Sequence, residues 1–191
     1  MPRASAAAAA LTAQQVLDAA TALFAAEGFA AVSLDDVARA AGVTRGAVYH
    51  HYRSKPGLFR AVAARLQEQV AAAVVAAAEG EEQPAERLRA GFHAFLDAIT
   101  AAPVVRILLI DAPSVIGWDE WRRLDAENSA VHLREALQDA GATEGLLDPL
   151  TAQLSGAMNE AALWIAQHEA PESARPQAHA ALDRLIAAAI A

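Results

Sequence analysis

Apolar positions along this chain recur mostly at intervals of three and four, the period of helices with one buried face. Val16, Ala19, Ala20, Leu23 and Phe24 form the first such stripe, with Thr12 and Gln15 as a capping box before it and Gly28 as its stop. Ser33 and Asp36 repeat the capping pattern ahead of Leu34, Val37, Ala38 and Ala41, which predicts a shorter second helix ending at Gly42. Thr44 caps a third over 45–52. Ser54 caps a fourth, with Pro56 tolerated in its first turn and Leu58, Phe59, Val62 and Leu66 facing inward. That helix runs to 78 and bridges to the remainder.

After the acidic stretch 80–84, helices are expected at 84–101, 103–111, 118–140, 149–168 and 175–190, separated by glycines and prolines. In the last two, Leu150, Leu154, Ala157, Ala161 and Trp164 make one stripe and Ala178, Leu182, Leu185, Ile186 and Ala189 another. Gly156 and Ala157 are small enough for a neighbouring helix to approach closely. The expectation is an all-α protein of about nine helices. A disordered segment, 1–10, precedes a three-helix helix-turn-helix domain, 11–65, and a larger helical domain, 66–191. Two short helices joined by a tight turn containing Gly42 carry the helix-turn-helix assignment.

Hydrophobic residues make up 55% of the 191 positions but aromatics only 5%, so the core must be mostly aliphatic. The absence of cysteine excludes disulfides, thiolate metal sites and cysteine nucleophiles, and fits a reducing compartment. The apolar start is too short to span a bilayer and runs into a patterned helix; a cytoplasmic protein with no membrane partner is expected.

A net charge of −8 argues against a polyanionic partner until its distribution is considered. Residues 1–65 hold seven Lys or Arg against four acids, or +3, whereas the remainder holds eight against nineteen, or −11. A basic head on an acidic body is the asymmetry expected if the head alone meets nucleic acid.

The third helix places Arg45, Gly46, Tyr49 and His50 on one arc, with Val48 facing away. Arg45 presents paired donors that match the O6 and N7 of guanine, or a phosphate. Gly46 and Ala47 let backbone or a methyl group approach the groove floor. His50 is a further DNA contact, and Ser33 and Thr44 can turn a hydroxyl or amide to phosphate while capping. Adjacent His50 and His51 point about 100° apart on a helix and do not make a metal site.

The stretch SLDDVARAAGVTRGAVYHHYRSKPGLFRAV, Ser33 to Val62, resembles the tetracycline-repressor (TetR) family of bacterial transcriptional regulators. The shared pattern is a polar cap, a Gly-Val turn, Thr-Arg-Gly-Ala, Tyr-x-His-aromatic and Ser-Lys-x-x-Leu-Phe. Tyr52 stands where Phe is more usual, a departure expected to matter little. The resemblance implies that Tyr49 and Lys55 grip the DNA backbone, that a homodimer forms through the last two helices, and that each C-terminal domain holds an effector pocket. Candidates for that pocket, suited to an apolar or aromatic small molecule, are Phe92, His93, Phe95, Arg106, Trp118, Trp121, His132, Met158, Asn159 and Trp164.

No HExxH, GxSxG, P-loop or GxGxxG occurs, and His132 with Glu135 is a lone i, i+3 pair. Neither enzyme activity nor a cofactor is expected. The function expected is a sequence-specific DNA-binding regulator, a repressor released by a small molecule, binding a palindromic operator in double-stranded DNA. The alternative is a helical ligand-sequestering or protein-interaction module without DNA binding.

Overall fold

Helix α1 (Pro2–Glu27) starts well before the capping pattern predicts. The lead-in expected to be disordered is helical from Pro2, and Thr12 is not a cap: its hydroxyl donates back to the Ala8 carbonyl at 3.0 Å. The run Ala6–Ala10, the strongest helix former available, carries the helix through that position although these residues are exposed. The computed structural model describes residues 2–101 and 103–191, with side chains from residue 6 onward except at 125, 128 and 129.

Helices α2 (Leu34–Ala40) and α3 (Arg45–Tyr52) fall where the caps place them. Ser33 accepts from the Asp36 N–H while the Asp36 carboxylate accepts from the Ser33 N–H at 3.0 Å, a complete capping box. The Ser33 hydroxyl, and then the Ser33 N–H, donate to the Asp36 carboxylate and hold it below the ordinary carboxylate range. Gly42 takes a φ of 68°, and the Val43 N–H then reaches the Ala38 carbonyl at 3.0 Å, closing α2 with the left-handed turn that favours glycine. Thr44 caps α3 through the Ala47 N–H.

Helix α4 (Lys55–Glu79) is capped by Ser54. Its length and composition are those of a spanning helix, but Leu58, Phe59, Val62, Ala63, Leu66 and Val70 are buried, and α4 packs on both α1 and α5 (Pro84–Thr100). In the head, Val16, Ala20, Phe24, Val37, Val48 and Phe59 form the core. Phe59 packs edge-on against Phe24 and Phe29, with ring centroids 5.2 Å away in each case. The Tyr52 hydroxyl donates to the Ala13 carbonyl at 2.8 Å and so ties α3 to α1. Burial of Tyr52 raises its pKa.

The helix expected at 103–111 is instead a π-helical segment, Arg106–Asp111, that continues into α6 (Ala112–Val115). The one expected at 118–140 divides into α7 (Trp118–Asp125), a π turn at Ala126–Ala130, and α8 (Val131–Asp139). Helix α9 (Leu147–Gln167) follows a short 3-10 turn. Helix α10 (Pro171–Ala189) opens at Pro171 and contains Pro176, both expected to be breaks. Pro171 is harmless at the first helical position. Pro176 removes one hydrogen bond, but the burial of Ala174 and Ala178 on either side keeps the helix continuous. Helices α5, α8, α9 and α10 pack together around Leu96, Leu137, Leu154, Ile165 and Leu182, and no strand occurs among the described residues.

Candidate nucleic-acid interface and ligand cavity

Helix α3 is anchored by one face and offers the other. Val48 is fully buried, whereas Arg45, Gly46, Tyr49 and His50 are exposed, Tyr49 to 59% of its surface. Ala47 is half-buried beside them. The exposed caps Ser33 and Thr44 flank the same region. Arg45 Nη1 lies 3.0 Å from Asp35 Oδ2, so the guanidinium is held across the first turns of α2 and α3. Both groups are largely exposed and the pair adds little stability; its effect is to restrict where the guanidinium points.

Lys55, at the start of α4, is engaged within the chain. Its Nζ donates to the Ala30 carbonyl at 3.2 Å and sits 4.4 Å from the centre of the Phe29 ring. An ammonium has three N–H donors, so two remain for an external acceptor. The backbone at Arg53 has a φ of 66°, unusual for a residue other than glycine, and this left-handed residue turns the chain from α3 into α4.

A cavity of about 460 Å³ opens between α4, α5, α8 and α9. Four of the residues expected at a pocket meet there: Phe92, Phe95, His132 and Met158. Val74, Val75, Ala78, Leu88 and Leu133 complete an aliphatic lining, and Glu79, Arg87, Glu135 and Asp139 stand at its edge. Gly91 also lines it, and a Cβ there would come within 3.3 Å of Val74.

The other expected pocket residues lie elsewhere. Trp121 is buried with its indole N–H donating to the Leu108 carbonyl at 2.7 Å, a core position. Trp118 is exposed and packs against Trp121. Asn159 is buried in α9 but does not line the cavity, and Trp164 is exposed beside His168. His93 faces α10, where its Nε2 is 2.8 Å from Asp183 and its ring stacks on His179.

Arg106 serves a different purpose. Its Nη1 donates to the carbonyls of Ala25 and Ala26, at 3.2 and 3.0 Å, satisfying the otherwise open C-terminal end of α1. Asp111 accepts the Phe29 N–H at 3.1 Å. The i→i+5 bonding of the π segment brings positions 106 and 111 towards one face, where five residues of α-helix would set them about 140° apart. The larger domain therefore grips the turn between α1 and α2 with a cation and an anion. Sequence reasoning missed this grip because its partners lie some eighty positions away.

The outer face of α9 and α10 carries a mostly apolar groove, with Gln153 as its polar member. Leu150, Leu154, Ala157, Leu185, Ala188 and Ala189 line the rest of it; Leu185 is 47% exposed, and Trp164 lies further along α9. Among the described residues nothing lies within 4 Å of the position a Cβ on Gly156 would take, so no described helix packs closely at this glycine.

Residues 16–62 match the family model "Bacterial regulatory proteins, tetR family", and residues 85–189 match "Tetracyclin repressor-like, C-terminal domain". The HTH-type transcriptional regulator SrpR of Pseudomonas putida is 48% identical over 67 residues, 35% of this chain and 32% of its own length. The HTH-type transcriptional repressor Rv1474c of Mycobacterium tuberculosis is 34% identical over 107 residues, 56% of either chain. The matched stretch thus spans about a third to somewhat over half of these relatives. Among solved structures, a TetR-family transcriptional regulator from Pectobacterium atrosepticum superposes with a TM-score of 0.77 at 29% identity, covering 96% of both chains.

Proposed function

Because this chain belongs to the TetR family of bacterial regulatory proteins, we propose that it is a sequence-specific DNA-binding transcriptional regulator whose hold on its operator changes with a small-molecule effector. The observation that carries the reading is α3, buried on its Val48 side and exposed on the side of Arg45, Tyr49 and His50. In this reading α3 enters the major groove, Arg45 addresses a base edge or phosphate, and Tyr49, Lys55, Ser33 and Thr44 hold the backbone. Phosphate contacts of this kind fix register and salt dependence without reading sequence.

A homodimer through the outer faces of α9 and α10 presents two copies of α3, and its two-fold symmetry calls for half-sites about 34 to 36 Å apart. The cavity is the effector site, sized for an apolar or aromatic molecule. One helix leads from it to the head. Helix α4 runs from Val74 and Ala78 at the cavity to Lys55 in the head, about 37 Å for its 25 residues. The grip of Arg106 and Asp111 on the end of α1 and on Phe29 joins the two parts at a second place, away from the cavity lining. A coupling of about 1 to 3 kcal/mol between effector and DNA changes occupancy roughly 5- to 150-fold. Repression is the output proposed, as in the name of the mycobacterial relative.

A mobility-shift titration on the DNA upstream of the protein's own gene tests the reading. Sequence-dependent retardation that weakens steeply with salt is expected. Equal binding to all duplexes, or none, rejects it.

A further inference from the structure

We infer that the cavity between α4, α5, α8 and α9 takes a lipophilic cation, an apolar, ring-bearing molecule that carries positive charge. This rests on the reading of that cavity as the effector site and adds the sign of the effector's charge.

The interior is apolar and aromatic, with Phe92, Phe95 and Met158 almost fully buried in its wall. The mouth is acidic. Glu79 and Asp139 are exposed there and have no side-chain hydrogen bond or ion pair among the described residues. Glu135 has only His132 near it, at 3.9 Å, a cation only when protonated. Arg87 is the fixed positive group at the mouth, and its Nε is already committed to the Glu81 carbonyl at 2.8 Å.

With His132 neutral, three carboxylates against one guanidinium leave the mouth at −2. Glu79 and Asp139 are the last residues of α4 and α8, so two helix C-termini, the negative ends of their dipoles, reach the mouth against the single N-terminus of α5. An anion entering here meets repulsion and a neutral molecule gains nothing from the charge. A cation gains from unpaired carboxylates outside and from aromatic π-systems within. The excess of acids over bases beyond residue 65 acts in the same direction at longer range.

The shape-matched ions tetraphenylphosphonium and tetraphenylborate separate charge from apolarity. Each is titrated calorimetrically into the full-length protein, the double variant E79Q/D139N and the cavity-filling variant A136W, with thermal unfolding recorded to check that each is folded. The phosphonium is expected to bind the wild type more tightly than the borate. E79Q/D139N, altered only at exposed positions, is expected to lose up to about fivefold in phosphonium affinity for each carboxylate removed, with no loss for the borate. A136W is expected to abolish phosphonium binding.

Equal or tighter borate binding overturns the inference, as do phosphonium binding that A136W leaves intact and an affinity that E79Q/D139N does not change. Failure of the phosphonium to bind also overturns it. A parallel titration with the upstream DNA keeps the two readings apart: retained DNA binding without phosphonium binding rejects this inference alone, whereas loss of DNA binding rejects the regulator reading beneath it.

Discussion

Arg106 fills the space that a side chain on Gly28 would need: a Cβ built on Gly28 would lie 2.5 Å from the Arg106 Nη2. Gly28 is also in the left-handed region, with a φ of 83°. The residue that ends α1 and the one that caps it from the other domain are therefore mutually dependent. Gly28→Ala is expected to lower stability by about 1 to 2 kcal/mol through backbone strain, while pushing a flexible guanidinium off the Ala25 and Ala26 carbonyls. Arg106→Ala exposes the same carbonyls, at a cost of about 1 kcal/mol. Because both changes break one contact, the double variant should cost less than the sum of the singles. Chemical denaturation of the four proteins measures this, and strict additivity refutes the dependence.

The caps of the head were legible because capping is local: Ser33 and Asp36 are three residues apart, and the box closes without help from the rest of the fold. Thr12 and Gln15 carry a similar signal that fails, since the alanines before them offer the helix no reason to stop. The cavity was half legible. Phe92, Phe95, His132 and Met158 could be nominated as rare groups in an aliphatic chain, but Trp121 and Asn159 looked equally suitable. Only the packing of four distant helices separates a wall from a core. Arg106 was noticed as a polar group and given the wrong partner, because nothing in the sequence near 106 refers to the end of α1.

Tyr52 shows where a small departure from a pattern acquires a physical role. Phenylalanine at this position would fill the same space but leave the Ala13 carbonyl without the hydroxyl that reaches it at 2.8 Å. Tyr52→Phe should therefore cost about 1 kcal/mol in urea unfolding, with little effect on DNA affinity under native conditions. An unchanged midpoint would show that water replaces the bond at no loss.

The Arg45–Asp35 pair leads to a prediction about specificity. Arg45→Ala should weaken operator binding by about 1 to 3 kcal/mol. Asp35→Asn keeps the size of the side chain and removes its charge, so Arg45 is released and one repulsion towards phosphate disappears. Binding to unrelated duplex should tighten, and the ratio of operator to unrelated affinity should narrow. A ratio that stays constant in fluorescence-anisotropy titrations would show that Asp35 does not orient Arg45.

Leu185 tests the dimer. Its side chain is 47% exposed on the groove face of α10, and Leu185→Asp would place a charge in the centre of the proposed interface. Burying an unpaired carboxylate in an apolar interface costs on the order of 2 kcal/mol or more, which weakens self-association by a factor of about 30 or more. Sedimentation equilibrium should show the variant shifted to monomer while its circular dichroism stays helical. Operator affinity should fall with it, since one half-site alone gives each α3 no partner. A variant that sediments like the wild type would remove α10 from the interface.

The seam between α5 and α10 makes stability depend on pH. The rings of His93 and His179 stack with centroids 4.2 Å apart and planes 6° from parallel. Asp183 lies 2.8 Å from His93, and Asp97 lies 3.5 Å from His179 while also pairing with Arg175 at 2.9 Å. Burial, and then the neighbouring His93, hold His179 below its ordinary pKa of 6.5, with Asp97 opposing them. A histidine depressed in the folded state takes up its proton first in the unfolded chain. Stability is therefore unaffected by His179 above pH 6.5, falls as pH drops through 6.5 towards the folded-state value, and levels off below it. His179→Gln, which cannot titrate, should remove that part of the decline. Asp36, whose carboxyl is also lowered, acts only in the more acidic range below its ordinary 3.8 and does not overlap. Thermal unfolding of both proteins across this range decides the matter: parallel curves would show that His179 takes up its proton as readily folded as unfolded.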